Sequence, residues 1–250
     1  MLREHLFDKR APADPLFRWR GGDVTRVEGL SDGVFAVTLT LLIVSMNVPS
    51  TFHELWIAVR DLPVFLVCFV LLMWVWHEHH SFFRRYGLQD TLTSVLNAAF
   101  LFLILFYAYP LKFLATFLWR LILGQPADEM FALPPEWVGE WTEVQQRTWM
   151  MVFYDLGIIG VFGLLLLMLG RAWSLREALE LDELERVITR GSLRAHAISV
   201  ALGALSLVLL LVAEQPGWAG LVFFLMGPLH GFNGYWTGAK ARRMHAELTR

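Results

Sequence analysis

A chain of 250 residues carries a single cysteine, Cys68. That excludes an internal disulfide, and Cys68, set in an apolar run, reads as a small buried filler. Charge is scarce as well: 18% of residues are charged and the net charge is -2. Such a balance gives no electrostatic case for nucleic acid as a partner. No apolar core precedes Val34. The expectation is therefore no cleavable leader, with the first apolar segment itself directing insertion. The H-E-x-x-H zinc pattern is missing, because the position four residues after His77 is Ser81. The two halves also show no internal repeat, which leaves the inverted-repeat transporter plan without support.

What the chain has in abundance is apolar surface. Hydrophobic residues make up 56% of it, the mean hydropathy is +0.49, and there are 11 Trp and 19 Phe. These values predict an all-α integral membrane protein with aromatic belts. Crossing the hydrocarbon layer takes about 20 mostly apolar residues. The expected spans are 29–48, 57–80, 92–118, 149–172, 194–213 and 217–238, six in all. Pro49 stops the first, Pro63 lies in the first turns of the second, and Pro110 should kink the third. The turn-like AEQPG separates the last two.

The domain reading follows from these spans. Residues 1–28 form an N-terminal segment, 29–238 a six-helix membrane domain, and 239–250 a tail. Basic residues crowd one side of this layout. That side holds Arg3, Lys9, Arg10, Arg18, Arg20, Arg26, Arg84, Arg85, Arg171, Arg176, Arg186, Arg190, Arg194, Lys240, Arg242, Arg243 and Arg250, against Arg60, Lys112, Arg120 and Arg147 on the other. By the positive-inside rule both termini are cytoplasmic, in a multi-pass plasma-membrane protein. The 121–148 loop then lies outside, with Trp137 and Trp141 at the interface. The inner stretch SLREALELDELERVITR reads as a solvated, charge-paired connector helix.

The first span carries unusual polarity. Thr25 and Glu28 fit a capping box, so the helix starts before its apolar run does. Val34 to Val48 covers about 22 Å at 1.5 Å per residue, short of a hydrocarbon core of about 30 Å. Gly29–Gly33 must then enter the membrane or lie just under it, and Asp32 needs a partner or water there. Further along, Val37, Leu41 and Val44 share one helix face, with Thr40 beside them. Such a stripe suits either a packing seam or a pore lining, where apolar constrictions gate by dewetting.

The second span ends in WVWHEHHSFFRR, and the third places Asn97 two turns into its helix. An Asn inside a membrane helix usually bonds across helices. Ser31, Asp32, the histidines and Asn97 fall at one depth, which predicts a single inner-leaflet polar network.

These residues carry a resemblance. Arg26, Leu30, Ser31, Asp32, Gly33, Val34, Phe35 and Ala36, followed by TLLIVSMNVP, resemble the signature of the lysosomal potassium channel family (transmembrane protein 175), prokaryotic branch. Trp76, His79, His80 and Phe83 match its second helix, and Leu96, Asn97, Phe100, Leu101 and YPLKFL its third. The resemblance covers the first half of the chain, while the second half matches in span count and length only. It implies a potassium-permeable cation channel, not an enzyme, built as a homotetramer of six-helix subunits whose first helices line one central pore. It implies no cofactor and no metal, only permeant monovalent cations, potassium above all, and a lipid bilayer around the protein. No TVGYG carbonyl filter is found. The family's isoleucine constriction falls on Val37, with further rings at Leu41 and Val44, and its potassium-preferring threonine on Thr40. Arg26, Ser31, Asp32, Trp76, His79 and Asn97 correspond to its packing network.

Two other readings use the same residues. One is a metal-dependent membrane enzyme built on His77, Glu78, His79 and His80. The other is a proton-coupled transporter relaying through Asp32 and the second-span histidines.

Overall fold

The computed structural model describes residues 16–22, 24–45, 48–126, 128–132, 141–213 and 216–248. Arg3, Lys9, Arg10, Trp137 and Arg250 lie outside the described residues. Among the described residues helices are the only regular secondary structure, joined by turns and short loops. Helix α1 spans Arg26–Val44, α2 Phe52–Arg60, α3 Leu62–Tyr86, α4 Thr91–Ile122 and α5 Glu143–Ser174. Helix α6 covers Glu183–Ala213, α7 Pro216–Leu221 and α8 Met226–Leu248, with 3-10 turns at Asp128–Phe131 and Val222–Leu225. Five of them, α1, α3, α4, α5 and α6, are long and apolar enough to cross a membrane.

Local chemistry sets the ends. Thr25 and Glu28 form the expected capping box at α1, and Thr142 with Gln145 builds another at α5. Helix α3 stops at Gly87, which takes φ 60°. A Cβ at this position would lie 2.9 Å from the carbonyl oxygen of Arg20, so glycine serves both the backbone turn and the close approach. At the N-terminus of α4, the Asp90 carboxyl accepts from the Thr93 hydroxyl at 2.5 Å and meets Arg171 at 3.3 Å. The Thr93 bond and the Arg171 charge hold that carboxyl below its ordinary range despite some desolvation.

Several of the expected boundaries move, and α1 runs from Arg26 to Val44 in place of 29–48, ending before Pro49. The expected second span begins at 57, yet residues 57–60 belong to the separate helix α2, and α3 starts at Leu62. Pro63 lies in the first turn of α3, where its missing N–H costs nothing, but the same ring prevents continuous helix from α2. Helix α4 runs through Pro110 without ending. The charged connector is not a solvated helix: Ser174 closes α5, residues 175–180 are turns, and the part from Glu183 on belongs to α6, which starts there rather than at 194. Leu181, Glu185 and Thr189 in this stretch are buried: Leu181 shares a cluster with Phe17, Glu185 pairs with Arg20, and Thr189 bonds the Tyr86 hydroxyl of α3. The expected sixth span is broken into α7, a 3-10 turn and α8.

Helices α1, α3 and α4 pack on one another, α6 packs on α5 and α8, and the α4–α5 contact joins the two groups. Phe35, Leu42, Cys68, Leu72, Phe100, Ile104, Phe162 and Leu165 fill the shared core. The arginine-rich end is knitted by the N-terminal segment. Arg20 donates to the Leu179 carbonyl at 2.6 Å and to Glu185 at 2.5 Å, and Gly21 N–H donates to the Arg84 carbonyl at 3.0 Å. Three segments assigned to one side by charge therefore meet at one end of the molecule. At the other end the Lys112 ammonium donates to the Ser45 hydroxyl at 2.7 Å and to its carbonyl at 3.1 Å.

Candidate functional site: the first helix and its anchor

The two faces of α1 differ in what covers them. Glu28, Ser31, Phe35, Thr38 and Leu42 are buried against α3 and α4. Gly29, Gly33, Ala36, Val37, Thr40 and Val44 are exposed, and Leu41 is half-buried. At about 100° per residue, Gly33, Thr40 and Val44 point directly away from the buried stripe. Val37 stands close beside them, and Leu41 lies at the margin. Thr40 is thus at the centre of the uncovered face and not beside it, as the Val37–Leu41–Val44 stripe suggested.

The buried face is held by a donor chain from three helices. His79 Nε2–H donates to Asn97 Oδ1 at 2.6 Å, Asn97 Nδ2 donates to Ser31 Oγ at 3.2 Å, and Ser31 Oγ–H donates to the Val27 carbonyl at 2.8 Å. His79 lies flat on Phe100, with ring centroids 5.1 Å apart and planes 7° apart, and Phe35 packs against both rings. None of the participating Ser, Asn or His donors is left without an acceptor, which matters because an unmet buried donor costs about 1–3 kcal/mol.

Asp32 belongs to a second, separate contact. Its Oδ1 accepts from the Trp76 indole at 2.8 Å, and Trp76 stacks on His80 at 5.1 Å. The single network expected from depth therefore divides into a buried Ser31–Asn97–His79 chain and an exposed Asp32–Trp76 pair. Arg26 joins neither: it is exposed on the uncovered side of α1. The arginine at this level is Arg84 instead. Its Nη1 donates to the Gly22 carbonyl at 2.7 Å, and its Nε lies 3.8 Å from Glu28 Oε1. Sequence reasoning missed this pair, although a glutamate at the third helical position already committed to the cap was the available signal.

The hydroxyls in α1 also divide. Thr38 Oγ1 donates to the Val34 carbonyl at 2.8 Å on the buried face, which spares a buried donor. Thr40 Oγ1 donates to the Ala36 carbonyl at 2.8 Å on the exposed face. Its proton is committed to the backbone, so the oxygen presents lone pairs outward.

His77, Glu78, His79 and His80 do not converge. His77 is exposed, Glu78 faces His196 at 3.6 Å, His79 is tied to Asn97 and His80 lies on Trp76. Among the described residues no group of three His, Cys, Asp or Glu side chains is placed to hold a metal ion. Asp32 and His79 have different partners, so the geometry links them by no common hydrogen bond.

Comparison with known proteins agrees with the first-half motifs. Residues 26–107 match the family model described as endosomal/lysosomal potassium channel TMEM175. A potassium channel of Marivirga tractuosa is 35% identical over 247 residues, covering 96% of this chain and 98% of that protein. A potassium channel of Chamaesiphon minutus is 31% identical over 104 residues, which is 37% of this chain and 50% of that one. Among solved structures, a variant of the potassium channel MtTMEM175 bound to a nanobody–MBP fusion superposes with TM-score 0.75 at 35% identity, covering 90% of this chain and 98% of that one. A TMEM175 homologue from Chamaesiphon minutus gives TM-score 0.51 at 20% identity over 83% of this chain and 96% of that one, a likeness of fold.

Proposed function

The chain belongs to the endosomal/lysosomal potassium channel TMEM175 family, and from that premise we propose that it is one subunit of a potassium-permeable cation channel whose first helix lines the pore. The family is one of channels, not enzymes, so the metal-enzyme reading is dropped. The observation that carries the pore assignment is the uncovered face of α1. This helix is long and apolar enough to cross a membrane, and among the described residues it is packed on one side and exposed on the other, from Gly29 through Val44. Four copies arranged with these faces inward make a homotetramer with one axial conduit.

In this reading Val37, Leu41 and Val44 supply apolar rings and Thr40 a ring of oxygens between them. A narrow apolar ring stops ions by shedding water and passes them when it widens. The outward lone pairs of four Thr40 hydroxyls replace part of the hydration shell of a cation without carrying charge. The Ser31–Asn97–His79 chain fixes the buried side, so the rings hold their distance from the axis. Helices α7 and α8 together make the sixth crossing, the termini lie in the cytoplasm, and the protein resides in the plasma membrane. The test is flux from liposomes loaded with potassium or with sodium. Potassium efflux down its gradient, faster than sodium and independent of a proton gradient, supports the reading. Flux that needs a proton gradient overturns it in favour of a transporter.

A further inference from the structure

Helix α2 is a formed helix that buries none of its side chains against the described residues. Its start is well built: the Thr51 hydroxyl accepts from Glu54 N–H at 3.2 Å, and Glu54 Oε2 accepts from Ser50 N–H at 2.7 Å and from the Ser50 hydroxyl at 2.8 Å. Yet none of its nine residues is buried. Phe52, Leu55, Trp56 and Val59 recur at helical spacing along one side and are 79%, 46%, 56% and 50% exposed. His53, Glu54 and Arg60 are also exposed. Isolated helices this short are marginal in water, so the apolar side needs a cover that the described residues do not supply.

Its position in the chain says what covers it. Helix α1 ends at Val44, and only Asp61 separates α2 from α3, so α2 is tethered at both ends to membrane spans. At the end of α1 from which this tether leaves, the Lys112 ammonium is hydrogen-bonded to Ser45. A helix so tethered cannot leave the membrane surface, and its apolar row with a tryptophan matches the composition of interfacial helices. We propose that α2 lies in the plane of the membrane, on the face opposite the arginine-rich end, with Phe52, Leu55, Trp56 and Val59 inserted among lipid chains and His53 and Glu54 in the headgroup water. This goes beyond the channel assignment and does not depend on which ion passes.

The test places one nitroxide label at a time on a Cys68→Ala background in phosphatidylcholine vesicles. Phe52→Cys and Trp56→Cys sample the apolar side, His53→Cys and Glu54→Cys the polar side, so the loss of one variant still leaves a readout on each side. Collision with oxygen, which concentrates in hydrocarbon, is compared with collision with a water-soluble nickel chelate. The expected result is a reversal of the oxygen-to-nickel ratio between the two sides. Equal nickel access on both sides overturns the proposal. So does an apolar side shielded from both reagents, with spin–spin broadening that vanishes on dilution with unlabelled protein, because a second copy would then be the cover.

Discussion

One helix presents two surfaces built by different rules. On its buried side α1 shows Ser31, Phe35, Thr38 and Leu42, each matched by a neighbour in the same chain. On its bare side Gly33, Val37, Thr40 and Val44 are left exposed by the described residues. The difference teaches that hydroxyls within a membrane helix are not one class. Thr38 turns its proton to the backbone to hide, whereas Thr40 does the same and leaves its oxygen on display.

Substitutions on the two sides should therefore separate stability from conduction. The largest effect is expected for Phe35→Ala, which empties the space between His79 and Phe100 and should cost about 3 kcal/mol. Thermal unfolding in detergent reads this as a large drop in midpoint. Next comes Asn97→Leu, which keeps volume but strands the His79 N–H and removes the donor to Ser31. It should cost at least about 2 kcal/mol, and a midpoint equal to wild type would show that the donor chain does not hold α1. Asp32→Ala breaks the exposed contact with Trp76 and should cost about 1 kcal/mol. It should harm assembly more than conduction, and intact tetramers with altered selectivity would contradict that order. Val37→Ala, on the bare side, should change stability by about 0.5 kcal/mol or less while raising potassium flux. Unchanged flux would take Val37 out of the pore.

The same division explains what was legible beforehand. The α1 cap was readable because Thr25 and Glu28 act within one turn. Ser31, Asn97 and His79 were readable as partners because polar residues inside membrane helices must find one another. Their division from Asp32 and Trp76 was not readable, because depth along a helix says nothing of azimuth. Arg26 was assigned to the anchor by motif alone, whereas its position on the bare side follows only once the buried stripe is located. The break between α2 and α3 was signalled by Arg60, Asp61 and Pro63, but the apolar residues on either side, Leu55 to Val59 and Val64 to Leu72, masked it. The early start of α6 escaped because its buried Glu185 looks solvent-seeking until Arg20, distant in sequence, is brought to it. Among the alternatives, the histidine cluster looked convergent in sequence, since residues 77–80 are consecutive. On a helix, consecutive residues point about 100° apart, and these four diverge accordingly.

The central claim is that the bare side of α1 lines the ion path. Its most direct test is potassium flux from liposomes holding Thr40→Cys or Thr38→Cys protein on the Cys68→Ala background, before and after a cationic thiol-reactive reagent. The account predicts that the reagent blocks flux through Thr40→Cys and leaves Thr38→Cys unaffected. Block at Thr38→Cys, or undiminished flux through a Thr40→Cys protein shown by mass to be fully modified, would contradict it.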